Sequence, residues 1–254
     1  MATKPDELEG IEMTSRASEA SPRMYARVAG FAYLLIIVIA LLNEGFIDSK
    51  LIVSGNDAAT ASNIMANDVL FRIGIAGILI MYASVVVLSW ALYVLLKTVN
   101  KNLALLAMLF RSGEAILGVT TVLISFIVLP LLNGKGYSTA FETDQLQALV
   151  GLFLSVRIAG LDIVLIFVGL GGTLFCYLFF KSKYVPRVLA AWGTSTYLSM
   201  LILSFVSILI PNHPVMIETV LYALGGGFEL IFGFWLLVKG VNLQQWDNHI
   251  KEAF

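Results

Sequence analysis

Six long apolar stretches, separated by short polar ones, dominate the pattern of this chain. They cover roughly residues 28–47, 70–96, 103–132, 150–180, 188–210 and 216–238. Each stretch reaches or exceeds the roughly 20 residues that a helix needs to cross about 30 Å of hydrocarbon. The pattern therefore predicts an all-α, polytopic membrane bundle with six transmembrane helices within residues 25–240.

The composition agrees with this prediction, because 59% of the residues are apolar and only 13% are charged. Such a chain lies outside the range of soluble globular proteins. The formal net charge is −1, and no basic run with interleaved aromatic residues occurs. Nucleic acid is therefore not an expected partner, whereas membrane lipid is.

Basic residues in the polar segments predict the orientation. The positive-inside rule assigns the side richer in Lys and Arg to the cytoplasm. One side collects 11 basic residues, Lys4, Arg16, Arg23, Arg27, Lys97, Lys101, Lys181, Lys183, Arg187, Lys239 and Lys251, and the other side has only Lys50 and Lys135. We therefore expect both termini in the cytoplasm and segment 48–68 outside.

Three further predictions concern the polar segments before, between and after the spans. Residues 1–24 are too poor in apolar side chains to pack a core, which predicts a disordered cytoplasmic tail. Residues 241–254 are predicted to form a cytoplasmic C-terminal tail. In segment 48–68, Asn56 or Asp57 is a candidate N-cap for a short helix that ends at Ala66.

Seven charged residues lie inside the apolar stretches. Ionisable groups at membrane depth are costly, so they normally face a bundle interior and mark a ligand pathway or an internal ion pair. They are Glu44, Arg72, Arg111, Glu114, Arg157, Asp162 and Glu229. We take all seven as candidates for a ligand or proton pathway.

Helical spacing suggests how these candidates are arranged. Counting about 1.5 Å per residue from the predicted helix ends places Arg111, Glu114 and Glu229 near the membrane midplane. Asp162 falls nearer the outside, and Glu44, Arg72 and Arg157 fall nearer still. The polar set then predicts a cavity that is open to the exterior and closed toward the cytoplasm. The fifth stretch adds hydroxyl groups at Thr196, Ser199 and Ser207.

Structural roles are the alternative for the same residues. Arg111 and Glu114 are three residues apart on one helix and are able to neutralise each other. Arg72 and Arg157 are close enough to the span ends to reach the outer interface. Glycines near the acids, at 169, 171, 172 and 225–227, fit either close helix packing or a cavity.

No catalytic motif occurs in the chain, and no cofactor is expected. The two histidines, His213 and His249, are not at metal-ligand spacing with a carboxylate pair, so no metal site is expected either. The leading hypothesis is binding or transport of a small or amphiphilic ligand. One alternative is an intramembrane enzyme that uses buried carboxylates on a lipid-soluble, isoprenoid-like substrate. The other alternative is a structural or assembly subunit.

Three segments resemble a known family. They are residues 93–115 (YVLLKTVNKNLALLAMLFRSGEA), residues 181–189 (KSKYVPRVL) and residues 229–242 (ELIFGFWLLVKGVN). Together they resemble the prokaryotic multi-pass membrane proteins called domain of unknown function 4386, over about residues 25–243. The resemblance implies a prokaryotic plasma-membrane protein and supplies no reaction.

Overall fold

The computed structural model describes residues 21–133, 141–210 and 214–253, and the regular elements within these ranges are all helical. The longer ones are α1 (Pro22–Leu42), α2 (Asp57–Ala66), α3 (Asp68–Asn133), α4 (Thr143–Ser182), α5 (Arg187–Leu209), α6 (Val215–Val238) and α7 (Leu243–Ala253). A π-helical segment, Asn43–Asp48, and a last α-helical turn, Ser49–Leu51, extend α1. The predicted all-α class is confirmed.

Within the described part of the chain, five helices are long and apolar enough to cross a membrane. They are Pro22–Leu51, Asp68–Asn133, Thr143–Ser182, Arg187–Leu209 and Met216–Val238. The second and third apolar stretches of the sequence both fall in α3, which has 66 residues. The length and composition of these helices indicate a membrane protein.

Helix α3 folds back on itself at Asn100, whose backbone is extended (φ −160°, ψ 105°). The Asn100 Oδ1 atom accepts a hydrogen bond from the Leu103 N–H at 2.9 Å, so Asn100 caps the second half. The ends of a straight helix of this length would lie about 100 Å apart. In the structure, Asn133 Nδ2 lies 3.4 Å from Asp68 Oδ1. We call the two antiparallel halves α3a (68–99) and α3b (101–133).

The helices pack in a closed ring around an interior. Helix α1 packs against α3 and α6, α3 packs against α4, α4 against α5, and α5 against α6. Helices α1 and α6 approach closely, because a Cβ atom on Gly30 would lie 2.6 Å from the Gly233 carbonyl oxygen. Small residues let membrane helices approach this closely, so the glycines help to close the ring.

Four of the six glycines that sequence analysis singled out serve helix packing. A Cβ atom on each would overlap a neighbouring helix, and these four are Gly169, Gly171, Gly172 and Gly225. Ideal Cβ atoms on Gly226 and Gly227 would have nothing within 4 Å. Close packing therefore does not explain these last two.

One end of the bundle collects most of the basic side chains, and we call it the basic end. Here the Tyr184 hydroxyl lies 2.9 Å from the Thr98 hydroxyl, and the Tyr184 carbonyl accepts a hydrogen bond from the Asn242 N–H at 2.9 Å. Burial raises the pKa of Tyr184 to about 12, so this phenol keeps its proton at neutral pH. The basic residues near this end are Arg23, Arg27, Lys97, Lys101, Lys181, Lys183, Arg187, Lys239 and Lys251.

The opposite end, which we call the acidic end, carries the predicted short helix. Helix α2 begins after Asn56, whose side chain accepts a hydrogen bond from the Ala59 N–H at 2.9 Å. The predicted helix and its Asn56 cap are therefore confirmed. The Asp57 carboxylate fills the space beside Gly151 of α4, which fastens α2 to the bundle.

The two predicted tails are only partly described. Residues 1–20 lie outside the described ranges, so most of the N-terminal tail stays a prediction. Its last residues are ordered, because Ser21 accepts a hydrogen bond from the Arg23 N–H at 3.3 Å and caps α1 from Pro22 onward. The C-terminal segment contains helix α7, which Asn242 caps through the Gln245 N–H at 3.2 Å.

Candidate functional site

A buried ion pair lies on the interior face of α3b. The Arg111 Nη1 and Glu114 Oε2 atoms are 2.8 Å apart, and the two residues expose only 4% and 5% of their surfaces. The two atoms form an ion pair whose angles do not suit a hydrogen bond. Neither atom has a hydrogen-bond partner elsewhere among the described residues. Removing one partner of such a buried pair is strongly destabilising.

Gly171 of α4 makes room for the arginine. A Cβ atom on Gly171 would lie 2.7 Å from Arg111 Cγ and 3.0 Å from Arg111 Cδ. The aliphatic part of the arginine therefore lies directly on the α4 backbone. A side chain larger than hydrogen at position 171 would push the guanidinium away from Glu114.

Glu229 of α6 belongs to the same group. Its Oε1 atom accepts a hydrogen bond from the Tyr197 hydroxyl at 2.7 Å, and the Tyr197 hydroxyl lies 3.3 Å from that of Tyr33. Arg111 lies within electrostatic range of all three of these residues. We call Tyr33, Arg111, Glu114, Tyr197 and Glu229 the central cluster.

The central cluster holds more acidic groups than basic ones. When its two carboxylates and one guanidinium are all ionised, it carries one net negative charge, and the two tyrosines are neutral. An uncompensated charge in a membrane interior is expensive. A proton or a monovalent cation would bring the sum to zero. Among the described residues, no group of three or more His, Cys, Asp or Glu side chains is placed to hold a metal ion.

An aromatic layer closes the central cluster toward the basic end. Phe228 and Phe232 stack with centroids 5.2 Å apart, and Phe179 packs edge-on against Phe232 at 5.3 Å. Tyr33 and Tyr197 of the cluster pack on Phe232 and Phe228, at 5.6 Å and 5.8 Å. All three phenylalanines are fully buried, so the layer separates the cluster from the basic end.

The expected open cavity does not reach the centre of the bundle. Arg111 and Glu114 are closed off, because the glycine contacts draw the helices together around them. Glu229 and its neighbours Gly226 and Gly227 are half-buried, so the cluster is less tightly covered on the α6 side. Arg111 and Glu114 are therefore closed off from the surroundings of the bundle in this structure.

Asp162 lies outside the central cluster, in a second polar group. It is half-buried on α4, nine residues before Gly171, which corresponds to about 13 Å along a helix. It lies within electrostatic range of Tyr222, as does Glu218. The Ser207 hydroxyl donates a hydrogen bond to Glu218 at 3.1 Å. This group lies between the central cluster and the acidic end.

The remaining candidates lie at the acidic end. Arg157 pairs with Asp48 at 3.1 Å, which ties α4 to the π-helical segment after α1. Arg72 pairs with Asp68 at 3.0 Å on a mostly exposed surface. Glu44 is exposed on the π-helical segment. Of these three residues, Arg157 joins two elements and Arg72 pairs within α3, and none of them belongs to the central cluster.

Tyr197 was missed in the sequence, where only the hydroxyl groups of Thr196, Ser199 and Ser207 were noted on this helix. A signal existed, since a tyrosine within an apolar helix usually needs a partner for its hydroxyl. The phenylalanine layer had no such signal, because its residues resemble any other apolar positions in these stretches.

Comparison with known proteins identifies one family. A family model described as a domain of unknown function (DUF4386) matches residues 28–240, which is most of the chain. The resemblance noted in the sequence is thereby confirmed. No curated protein and no solved structure matches the chain.

The first prediction compares two arginines that differ in burial. Arg111→Ala leaves two carboxylates without a cation in the interior and should cost about 3–5 kcal/mol in the free energy of unfolding. The matched control, Arg72→Ala, removes a surface pair and should cost about 0–1 kcal/mol. Thermal unfolding of the purified variants in detergent, followed by circular dichroism, measures both. Equal losses would contradict the assignment of Arg111 to a buried cluster.

Proposed function

The chain belongs to the DUF4386 family, and from the geometry of its central cluster we propose that it binds a small cationic or amphiphilic ligand within the membrane, for transport or sensing. The observation that carries this proposal is a buried cluster with more carboxylates than cations. Within it, Arg111 Nη1 and Glu114 Oε2 pair with each other at 2.8 Å, and Glu229 is the second carboxylate within electrostatic range of the same guanidinium.

We further propose that the chain crosses the membrane six times, with both termini in the cytoplasm of a prokaryotic cell. Each half of the α3 hairpin has more than 30 residues, enough for one crossing. The hairpin bend, the start of α1 and the connections before α5 and α7 meet at the basic end. The positive-inside rule assigns that end to the cytoplasm.

In this account, the ligand reaches Glu229 from the acidic end. The phenylalanine layer closes the opposite route, whereas Gly226, Gly227 and the second polar group lie on the acidic side of Glu229. Binding a proton or a cation at Glu229 removes the excess charge of the cluster. Release then requires a movement of α6 that uncovers the cluster. On that helix, added Cβ atoms on Gly226 and Gly227 would meet no other helix within 4 Å.

An intramembrane enzyme is the second candidate, and one contact favours it. The Tyr197 hydroxyl donates to the Glu229 carboxylate at 2.7 Å, an arrangement through which a proton can move. The two candidate functions differ in what happens to the ligand, because an enzyme converts a lipid-soluble substrate and a carrier leaves it unchanged. Mass spectrometry of a lipid extract before and after incubation with the purified protein separates the two.

The topology prediction uses single cysteines in a Cys176→Ala background, since Cys176 is the one native cysteine and is buried. Ser54 is exposed at the acidic end, and Asn102 is exposed beside the hairpin bend. Ser54→Cys should react with a membrane-impermeant thiol reagent on intact cells, whereas Asn102→Cys should react only after permeabilisation. The reverse labelling pattern would invert the proposed orientation.

The functional prediction compares two glutamates of α6. Glu229→Gln brings the charge of the central cluster to 0, so this variant should fold as well as the wild type. It should lose its response to cations, because a glutamine neither ionises nor takes up a proton. The control, Glu218→Gln, keeps an acceptor for Ser207 and leaves the cluster unchanged.

The measurement is the thermal midpoint in detergent in sodium chloride and in N-methylglucamine chloride, at two pH values and with a panel of organic cations. A ligand at a hundredfold excess over its Kd stabilises the folded state by about 2.7 kcal/mol. We expect such a shift in the wild type and in Glu218→Gln, and none in Glu229→Gln. A full response in folded Glu229→Gln would exclude the central cluster as the binding site. A wild type that responds to nothing would support a structural subunit.

A further inference from the structure

An apolar groove runs along the outer surface of the bundle, and its lining includes no residue of the central cluster. It lies between α1, α3a and the end of α6 and has a volume of about 560 Å³. Pockets for small molecules commonly have about 300–1,000 Å³. Its lining residues include Met24, Arg27, Phe31, Ala83, Val87 and Leu237. We refer to it as the groove.

The groove faces the surrounding lipid. Met24, Phe31, Ile80 and Val87 expose 46–59% of their surfaces, although they lie on helices long and apolar enough to span a membrane. The one lining hydroxyl, that of Ser84, already donates to the Ile80 carbonyl at 2.8 Å. The wall of the groove therefore offers an occupant apolar contacts and no free hydroxyl group.

The dimensions of the groove match one leaflet. Its α1 wall extends from Met24 to Leu35, which is about 16 Å along a helix. Half of a hydrocarbon core of about 30 Å is about 15 Å. The groove thus begins at the basic end and stops near the middle of the membrane, which is the depth that one lipid acyl chain occupies.

A single cationic residue marks the mouth of the groove. Arg27 is the one charged lining residue, and its side chain is exposed. Arg23, one helical turn earlier, is exposed as well. Neither arginine forms an ion pair with any of the described residues. Two unpaired guanidinium groups at the level of the headgroups favour a phosphate, which arginine binds with a bidentate geometry.

We propose that the groove binds an anionic phospholipid, with one acyl chain along α1 and α3a and the phosphate at Arg27. The chain alone gains little from leaving the bilayer, because lipid tails are as apolar as the lining side chains. Selectivity therefore comes from the headgroup, and net negative charge favours its binding beside two arginines. The proposal does not use the central cluster and is independent of the ligand bound there.

The test measures lipid retained by the full-length protein in detergent. Wild type and variants are incubated with phosphatidylglycerol or with phosphatidylcholine of the same acyl chains, and the bound lipid is counted by native mass spectrometry. Arg27→Gln removes the charge at the mouth, and its control is Lys101→Gln at the same basic end. Ala83→Phe fills the groove from an exposed position, and its control is Ala223→Phe on the exposed surface of α6.

We expect the wild type to retain more phosphatidylglycerol than phosphatidylcholine. Arg27→Gln should lower the affinity for phosphatidylglycerol about fivefold, because one basic residue near the surface is lost. The loss for phosphatidylcholine should be smaller, because its phosphate is the same but its headgroup has no net charge. Ala83→Phe should lower the retention of both lipids, and both controls should behave as wild type. Undiminished phosphatidylglycerol in Arg27→Gln would overturn the headgroup assignment, and undiminished retention in Ala83→Phe would overturn the groove as the binding site.

Discussion

The fold depends on how one buried cation is compensated. Arg111 lies on α3b in the interior of the ring, where an isolated guanidinium would be too costly to keep. Glu114 lies 2.8 Å away, and Glu229 reaches the same region from α6. Gly171 allows α4 to pass beside the arginine. Each neighbouring helix thus supplies either a charge, a hydroxyl group or space, and the closed ring follows from that requirement.

With all three groups ionised, the central cluster has one negative charge in excess. The Tyr197 hydroxyl donates a hydrogen bond to Glu229, and the Tyr33 hydroxyl contacts that of Tyr197, but neither phenol neutralises the carboxylate. In the proposed function, exchange of a proton or a cation takes place from the acidic side, because the phenylalanine layer lies on the basic side. The lipid site that we propose in the groove is separate from this cluster and lies on the outer surface, with Arg27 at its mouth.

The sequence predicted the parts of this structure that depend on local patterns. The apolar stretches, the Asn56 cap of α2 and the spacing of Arg111 and Glu114 all follow from residues close together in the chain. Pairs of residues that are distant in the chain could not be predicted, because they leave no local pattern. Arg157 and Asp48, for example, are 109 residues apart. The expected open cavity was also wrong at Arg111 and Glu114, because only the structure shows that Gly171 brings α4 onto the arginine.

A double-mutant cycle between Arg111 and Glu229 tests the central claim most directly, since the two residues lie on different helices. The free energy of unfolding is measured for wild type, Arg111→Met, Glu229→Gln and the double variant. If both residues belong to one cluster, Glu229→Gln should raise the free energy of unfolding more in the Arg111→Met background than in the wild type. The coupling energy should then be about 1 kcal/mol or more. Additive effects, within about 0.5 kcal/mol, would contradict a single cluster.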